Sequence, residues 1–291
     1  MHRFEEFIKS RRYFKNVTPK TVEWYRDSFS AFQRFHPPHE YSKQSLAAFV
    51  VALRDSGVSP VSCNTYCRAV NAYLRWLREE GYTTDALRIP PMKTEKKIIA
   101  TFNRSQVDAF LKWKPQLFSE YRLHALVAML LDCGLRIQEA LELKRENIDL
   151  DNLLVQVRGK GEKHRIVPIS FELRRIVHRW LTKHKFSLVF PTMQGREQNQ
   201  RNMLQDLKLL GRRLSLTGVR VSFHTFRHTF AVSYLRAGGN LFYLSRILGH
   251  TSVTTTEKYL QSLGVKDLQA VHDKLSLLNP ARRDPTAPAS Q

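Results

Sequence analysis

The spacing of apolar side chains divides the chain into a helical first third and a longer second part interrupted once by sheet. Thr18-Pro19 pairs an N-cap residue with a proline suited to the first helical position, and Val22, Tyr25, Phe29, Phe32 and Phe35 follow at helical intervals. Leu46, Phe49, Val50 and Leu53 mark a second helix that Gly57 ends. Ser59-Pro60 opens a third, where Tyr66, Val70, Tyr73, Leu74 and Leu77 run to Gly81 and predict a helix of about twenty residues. From Ile89-Pro90-Pro91 to Lys97 all periodicity stops, as in a linker. Ser105 restarts a helical pattern, which Leu123 to Leu143 continues. Leu150 to Arg158 and His164 to Ile169 read as two strands around the glycine-rich tip Gly159-Lys160-Gly161-Glu162-Lys163. Helical patterns return at Glu172 to His184, Gln200 to Leu214, Thr225 to Ala237 and Leu241 to Leu248. Leu263 to Leu278 is amphipathic, with Val265, Leu268, Val271, Leu275 and Leu278 on one face. The predicted fold class is mainly α with a small β-sheet (α+β).

Charge changes the picture from a merely soluble protein to one with a polyanionic partner. The chain has 47 Lys and Arg against 26 Asp and Glu, a net charge of +21. Up to Glu95 there are 15 basic and 10 acidic residues, and beyond it 32 and 16, so the excess is not a basic tail. Met1 to Phe14 is charged and interrupted by Arg11 and Arg12, unlike a signal peptide, and the apolar run Leu123 to Leu135 is too short to span a bilayer. Three cysteines cannot build a disulfide framework, and Cys63 and Cys67, one helical turn apart, have no second ligand pair nearby. The expectation is a cytoplasmic protein with no membrane partner. Arg68, Arg75 and Arg78 project from the third helix, where they fit a DNA contact or an ordinary solvated face.

The candidate chemistry is scattered. His224 and Arg227 stand three apart on a helix, within reach of one anion. Gly249 after a helix frees the backbone to turn His250 aside, and Tyr259 follows nine residues later. Gly134-Leu135-Arg136 ends the most apolar helix with an arginine that needs a partner, and Glu139 lies one turn on. Lys160 sits at the hairpin tip. Each signal alone fits a structural residue as well as a functional one.

Together these residues resemble the tyrosine recombinase (phage integrase) family, in its Xer-like branch. The family's order of Arg, Lys, His-x-x-Arg, His and Tyr is matched by Arg136, Lys160, His224, Arg227, His250 and Tyr259. The local frames also match: Gly-Leu-Arg-x-x-Glu, Gly-Lys-Gly-x-Lys-x-Arg, His-x-x-Arg-His-Thr, and Leu-Gly-His before the tyrosine. The likeness reaches from the helical first part, including Arg75-Trp76-Leu77-Arg78-Glu79-Glu80-Gly81, to about Asn279. Departures are small: Gln138, Ala140 and Cys133 stand where the family often has Ser, Leu and Thr.

The resemblance implies a helical core-type DNA-binding domain over 1–89, a linker over 90–98, a catalytic domain over 99–279 with a C-terminal exchange helix, and a disordered tail over 280–291. It implies site-specific recombination through a 3′-phosphotyrosyl intermediate and a Holliday junction, in a homotetramer or a heterotetramer with a paralogue. The substrate would be double-stranded DNA with an inverted-repeat core site.

The chemistry gives each residue a task. Tyr259 is the nucleophile, since a phenolate leaves more easily than an alkoxide and religation stays accessible. Arg136 and Arg227 match the phosphate oxygens with planar forks. His224 and His250 add hydrogen bonds or move protons, Lys160 protonates the departing 5′-oxygen, and Glu139 orients Arg136 or a histidine. Arg68, Arg75, Lys163 and Arg165 are DNA-binding candidates. No cofactor is expected, neither metal nor nucleotide, because fixed cations do the electrostatic work. Two alternatives share the pattern, a type IB topoisomerase and a non-catalytic DNA-binding protein of the same fold. Chromosome partition and mobile-element integration share one architecture and are not separable here.

Overall fold

The computed structural model describes residues 3–35, 41–95, 99–159 and 164–275, with Lys274 and Leu275 described by their backbone only. Lys160, Lys163 and the tail lie outside the described residues. The chain forms two compact units, Met1–Lys97 and Ile98–Gln291.

The first unit holds α1 (Phe4–Lys9, prolonged by a π-helical turn, Ser10–Phe14), α2 (Pro19–Phe35), α3 (Lys43–Asp55) and α4 (Pro60–Glu79). Capping sets their starts. Thr18 Oγ1 accepts from the Thr21 amide at 3.3 Å, Ser42 and Ser45 form a reciprocal capping box, and Ser59 accepts from the Ser62 amide. The core is largely aromatic: Phe4 stacks on Phe29 with centroids 3.7 Å apart, and Tyr73 meets Phe4, Phe7 and Phe29 edge-on.

The linker expected over 90–98 needs correction at its start. Ile89 is buried in the first core, and Asn71 on α4 pairs with its backbone on both sides, Ile89 N to Asn71 Oδ1 at 2.8 Å and Asn71 Nδ2 to Ile89 O at 2.9 Å. Two turns earlier Asn64 does the same to Met92, at 2.8 and 2.9 Å. Residues 89–92 therefore run along α4 as part of the first unit, while 96–98 are outside the described residues.

The second unit contains α5 (Arg104–Lys112), α6 (Phe118–Cys133), α7 (Ile137–Leu141), the strands β1 (Ile148–Asp149), β2 (Leu154–Arg158) and β3 (His164–Pro168), then α8 (Phe171–Leu181), α9 (Gln200–Arg213), α10 (Phe223–Arg236), α11 (Leu241–Leu248), α12 (Thr254–Glu257) and α13 (Val265–Leu275). Helix α6 is apolar on nearly every side because α8 and α10 both pack on it. The sheet is antiparallel in the order β1-β2-β3, with Val157 opposite Arg165 and Arg158 opposite His164. Val155, Val157 and Val167 are buried on one face.

Two sequence expectations shift here. The helical run from Leu123 to Leu143 is not continuous: Gly134 takes a left-handed φ of 61°, ends α6, and lets α7 begin after Arg136. A Cβ at Gly134 would lie 2.2 Å from the Phe230 ring, so only glycine fits the turn. The strand expected from Leu150 begins at Leu154, because Leu153 at φ 57° turns the chain between a two-residue β1 and β2. A third, smaller core joins α10, α11 and the segment after α12: Ala231, Val232, Leu235, Leu244, Leu248 and Tyr259.

Candidate active site

The break at Gly134 positions the first cation. Arg136 is the N-cap of α7, and Glu139 folds back so that Oε2 accepts from the Arg136 amide and Oε1 from its guanidinium, both at 2.8 Å. Arg136 keeps 43% of its side chain exposed, so its remaining donors face outward. Arg227 comes from α10 and is buried. Its Nη1 donates to the Gly134 carbonyl at 2.7 Å, and its Nη2 to the Leu248 carbonyl at 2.7 Å. Arg136 reaches that same Leu248 oxygen at 3.3 Å.

His250 lies beside them. Gly249, left-handed at φ 66°, caps α11, and His250 then accepts at Nε2 from Arg227 Nη2 at 3.1 Å. An arginine can only donate, so Nε2 is the unprotonated nitrogen and Nδ1–H is left to donate to Thr256 Oγ1 at 2.8 Å. Burial, followed by the charges of Arg227, Arg136, Lys258 and Arg165, lowers the His250 pKa to about 4. The ring is neutral near pH 7, which suits it to hydrogen bonding better than to carrying protons. Arg227 is lowered to about 10, first by burial and then by Arg136, with Tyr259 acting the other way.

Tyr259 is buried, and its ring lies nearly parallel to that of His250, with centroids 6.3 Å apart and planes at 11°. The His228 ring lies at 5.0 Å and 49°, and the ammonium of Lys258 stands 5.3 Å from the phenol ring centroid. The structure thus gathers Arg136, Arg227, His250 and Tyr259 in one region. His224 is exposed in the first turn of α10, three residues from Arg227. Lys160 and Lys163 are outside the described residues.

Arg165, expected to contact DNA, requires a correction. Its side chain is only 12% exposed; Nη1 and Nη2 grip the two Glu139 oxygens at 3.0 and 2.8 Å, and Nε donates to the Ile247 carbonyl at 2.6 Å. Strand alternation carried the signal: Arg165 shares a face with Val167, which points into the core. Gly249 leaves the passage this side chain uses, since a Cβ there would come within 2.9 Å of Arg165 Nη1. Glu139 is therefore a bridge between two arginines, and among the described residues it bonds no histidine. Burial pushes its pKa up, but the hydrogen bond and charge of Arg165, with help from Arg136, leave it below the usual carboxylate range.

Sequence reasoning also missed Thr256, which is fully buried, and Lys258, whose pKa is lowered by burial and by Arg227 and Arg136. Neither position carries a spacing signal, since both lie in a four-residue helix and the turn after it. Arg136 and Arg165 thus share the carboxylate of Glu139, while Arg227 and Lys258 add positive charge beside them, which leaves the site poised for an anion. Among the described residues no group of three or more His, Cys, Asp or Glu side chains could hold a metal ion. No described helix is long and apolar enough to cross a membrane.

Comparison with known proteins agrees with this arrangement. The model of the phage integrase family matches residues 100–264, and that of the phage integrase N-terminal SAM-like domain matches residues 2–85. The tyrosine recombinase XerA of Thermococcus kodakarensis is 30% identical over 245 residues, covering 82% of this chain and 84% of its own. The tyrosine recombinase XerC of Chlorobaculum parvum is 29% identical over 320 residues, covering 93% of each. In fold, the chain is similar to the XerH site-specific recombinase bound to palindromic difH substrate, with a TM-score of 0.70 at 20% identity over 94% of this chain and 83% of that one. It is also similar to the Tn1549 transposon integrase in complex with circular intermediate DNA, with a TM-score of 0.73 at 18% identity over 92% and 97%. The matched models span most of the sequence, and the chain belongs to the phage integrase family of tyrosine recombinases.

Proposed function

We propose that this site-specific tyrosine recombinase cuts DNA by attack of the Tyr259 phenol on a phosphodiester held by Arg136 and Arg227, with His250 as a neutral hydrogen-bonding partner. The observation that carries the reading is the meeting of both guanidinium groups at the Leu248 carbonyl, beside the paired rings of His250 and Tyr259. Two rigid forks converging there offer donors to the non-bridging oxygens of a phosphorane, where the charge of the transition state develops. As the new bond joins Tyr259 Oη to phosphorus, the phenolic proton passes to solvent, and the bond to the 5′-oxygen breaks. Lys160 is the group proposed to protonate that oxygen, and His224, exposed at the start of α10, is a second donor to the phosphate. Glu139 and Arg165 act by holding Arg136 and the α11 end in place. The 3′-phosphotyrosyl link then conserves the bond energy for religation and exchange through a Holliday junction.

DNA is the partner, and the XerH recombinase and the Tn1549 integrase, similar in fold, were solved bound to it. The proposed substrate carries an inverted-repeat core site, and the proposed assembly is a synaptic tetramer of this chain or a mixed one with a paralogue. Helix α13 fits such an assembly: it meets α10 through Arg236 and Asp267 at 3.1 Å, while Val265 and Leu268 are left exposed. In the first unit, Arg11, Arg68, Arg75 and Arg88 surround a cleft of about 360 Å³, a further set of phosphate contacts.

The test uses a nicked duplex that the wild-type protein selects from a pool of randomised inverted repeats. The nick lets the short 5′-hydroxyl fragment diffuse away and traps the covalent intermediate. Wild-type protein should accumulate a denaturation-resistant adduct, and Tyr259→Phe should accumulate none. An adduct of equal yield with Tyr259→Phe would refute the assignment, and no adduct with wild-type protein would favour a non-catalytic protein.

A further inference from the structure

Helix α10 carries a second imidazole for which the cleavage scheme has no task. His228 directly follows Arg227, and successive residues on a helix point about 100° apart, so the two cannot face the same phosphate. His228 is instead 5% exposed, and its Nε2 lies 3.3 Å from Ser262 Oγ. Its ring meets the Tyr259 ring at 5.0 Å, and it hydrogen-bonds with the backbone of Ile99. The next residue strengthens the same junction: Thr229 Oγ1 accepts from the Phe102 amide at 3.0 Å and donates to the Thr225 carbonyl at 2.8 Å.

The need for such a contact comes from the poverty of the elements around Tyr259. The tyrosine sits between the four-residue α12 and a single 3-10 turn, Leu260–Ser262. Its own backbone is tied by Tyr259 N to Thr256 O and Ser262 N to Tyr259 O, both 3.0 Å and both local. Nothing in so short a segment fixes where the phenol ring lies, so its side-chain neighbours must do it. His250 is one, but Arg227 and Thr256 already claim both its nitrogens. Aliphatic side chains of α10 and α11 pack around the phenol ring without fixing its rotation, whereas His228 is a second ring neighbour that also bonds Ser262, just beyond the nucleophile, and the backbone of Ile99 in the segment entering the second unit. A displacement of a reacting group by about 1 Å costs on the order of 10²-fold in rate, so this contact bears directly on cleavage.

We propose that His228 is a positioning residue for strand cleavage: its buried ring holds the Tyr259 ring against α10, and its hydrogen bonds to Ser262 and Ile99 keep that ring from turning. The inference rests on Tyr259 being the nucleophile. Neutral imidazole is the form that serves, and burial, followed by the Lys258 charge, lowers the His228 pKa against the opposing effect of Ile99.

The experiment compares single-turnover cleavage of the wild-type-selected nicked duplex with DNA affinity, for wild-type protein, His228→Phe, His228→Gln, Ser262→Ala and Tyr259→Phe. His228→Phe keeps an aromatic ring and loses the hydrogen bonds; His228→Gln keeps a donor and an acceptor. DNA affinity should stay within about twofold throughout, while His228→Phe cleaves roughly 10–100-fold more slowly and His228→Gln recovers at least about fivefold of that loss. Ser262→Ala should slow cleavage by about threefold or more at unchanged affinity, and it decides the matter if His228→Phe fails to fold. Wild-type cleavage by His228→Phe, His228→Gln as slow as His228→Phe, or an unaffected Ser262→Ala would each overturn the proposal. Adduct formed by Tyr259→Phe would instead overturn the nucleophile assignment, whatever the His228 variants do.

Discussion

Arg136 and Arg227, carried by different helices, donate to one and the same atom, the carbonyl oxygen of Leu248, at 3.3 and 2.7 Å. Two like charges meeting in a partly buried site repel, and the partial negative charge of that oxygen, with Glu139 behind Arg136, offsets part of the repulsion. The arrangement has more positive charge than the protein itself neutralises, an imbalance that the proposed binding of a phosphodiester would relieve.

Replacing either guanidinium tests geometry apart from charge. Lysine keeps the charge but not the planar fork, so Arg136→Lys and Arg227→Lys should each slow single-turnover cleavage by about 10²–10³-fold. Single-turnover rates at saturating DNA give the answer; a loss under tenfold would mean that charge alone suffices.

Glu139 joins Arg136 and Arg165 with its side chain only 6% exposed. Glu139→Gln keeps the shape but leaves two arginines without their counter-charge, which should destabilise the second unit by about 3–5 kcal/mol. Urea unfolding compared with wild type measures it. A change below about 1 kcal/mol would show that water takes over the pairing.

His250 gives stability a pH dependence with a definite sign. Its pKa is about 4 in the folded protein against 6.5 when unperturbed, so between these values the unfolded chain binds more protons. Stability is therefore complete above about pH 6.5 and falls as the pH drops towards 4, by on the order of 1–2 kcal/mol after allowance for solvent screening. Subtracting the melting curve of His250→Asn from that of wild type isolates the effect. Parallel pH profiles for the two proteins would contradict it.

The arginine cleft of the first unit predicts a change in salt dependence rather than in chemistry. If Arg75 and Arg88 each neutralise one phosphate, Arg75→Ala/Arg88→Ala should flatten the slope of log affinity against log salt by about 2. Fluorescence anisotropy across a salt series tests this, and an unchanged slope would place DNA elsewhere.

How much of this was legible in the sequence depended on whether local chemistry or long-range packing decided the outcome. The limits of α4 were legible because Ser59-Pro60 and Gly81 act through their own backbone. The turn at Gly134 was hidden because Leu135, Ile137 and Leu141 continue the apolar pattern across it, and the Phe230 ring that demands glycine there is remote in sequence. The hold of Asn64 and Asn71 on residues 89–92 was equally invisible, since an asparagine on a helix gives no sign of what it will bind. Arg136, Arg227, His250 and Tyr259 were singled out by order and frame, through resemblance, and the fold brings them into one region. The inward turn of Arg165, the buried Thr256 and the place of His228 were not, because each depends on contacts between elements far apart in the chain.

In the proposed reaction the phenolic oxygen of one tyrosine becomes covalently joined to DNA. Digesting the trapped adduct with protease and nuclease, then sequencing the nucleotide-bearing peptide by mass spectrometry, tests it most directly. A nucleotide 3′-phosphate esterified to Tyr259, and to no other residue, is the expected result. Modification of a different side chain, or of a serine in place of a tyrosine, would contradict it.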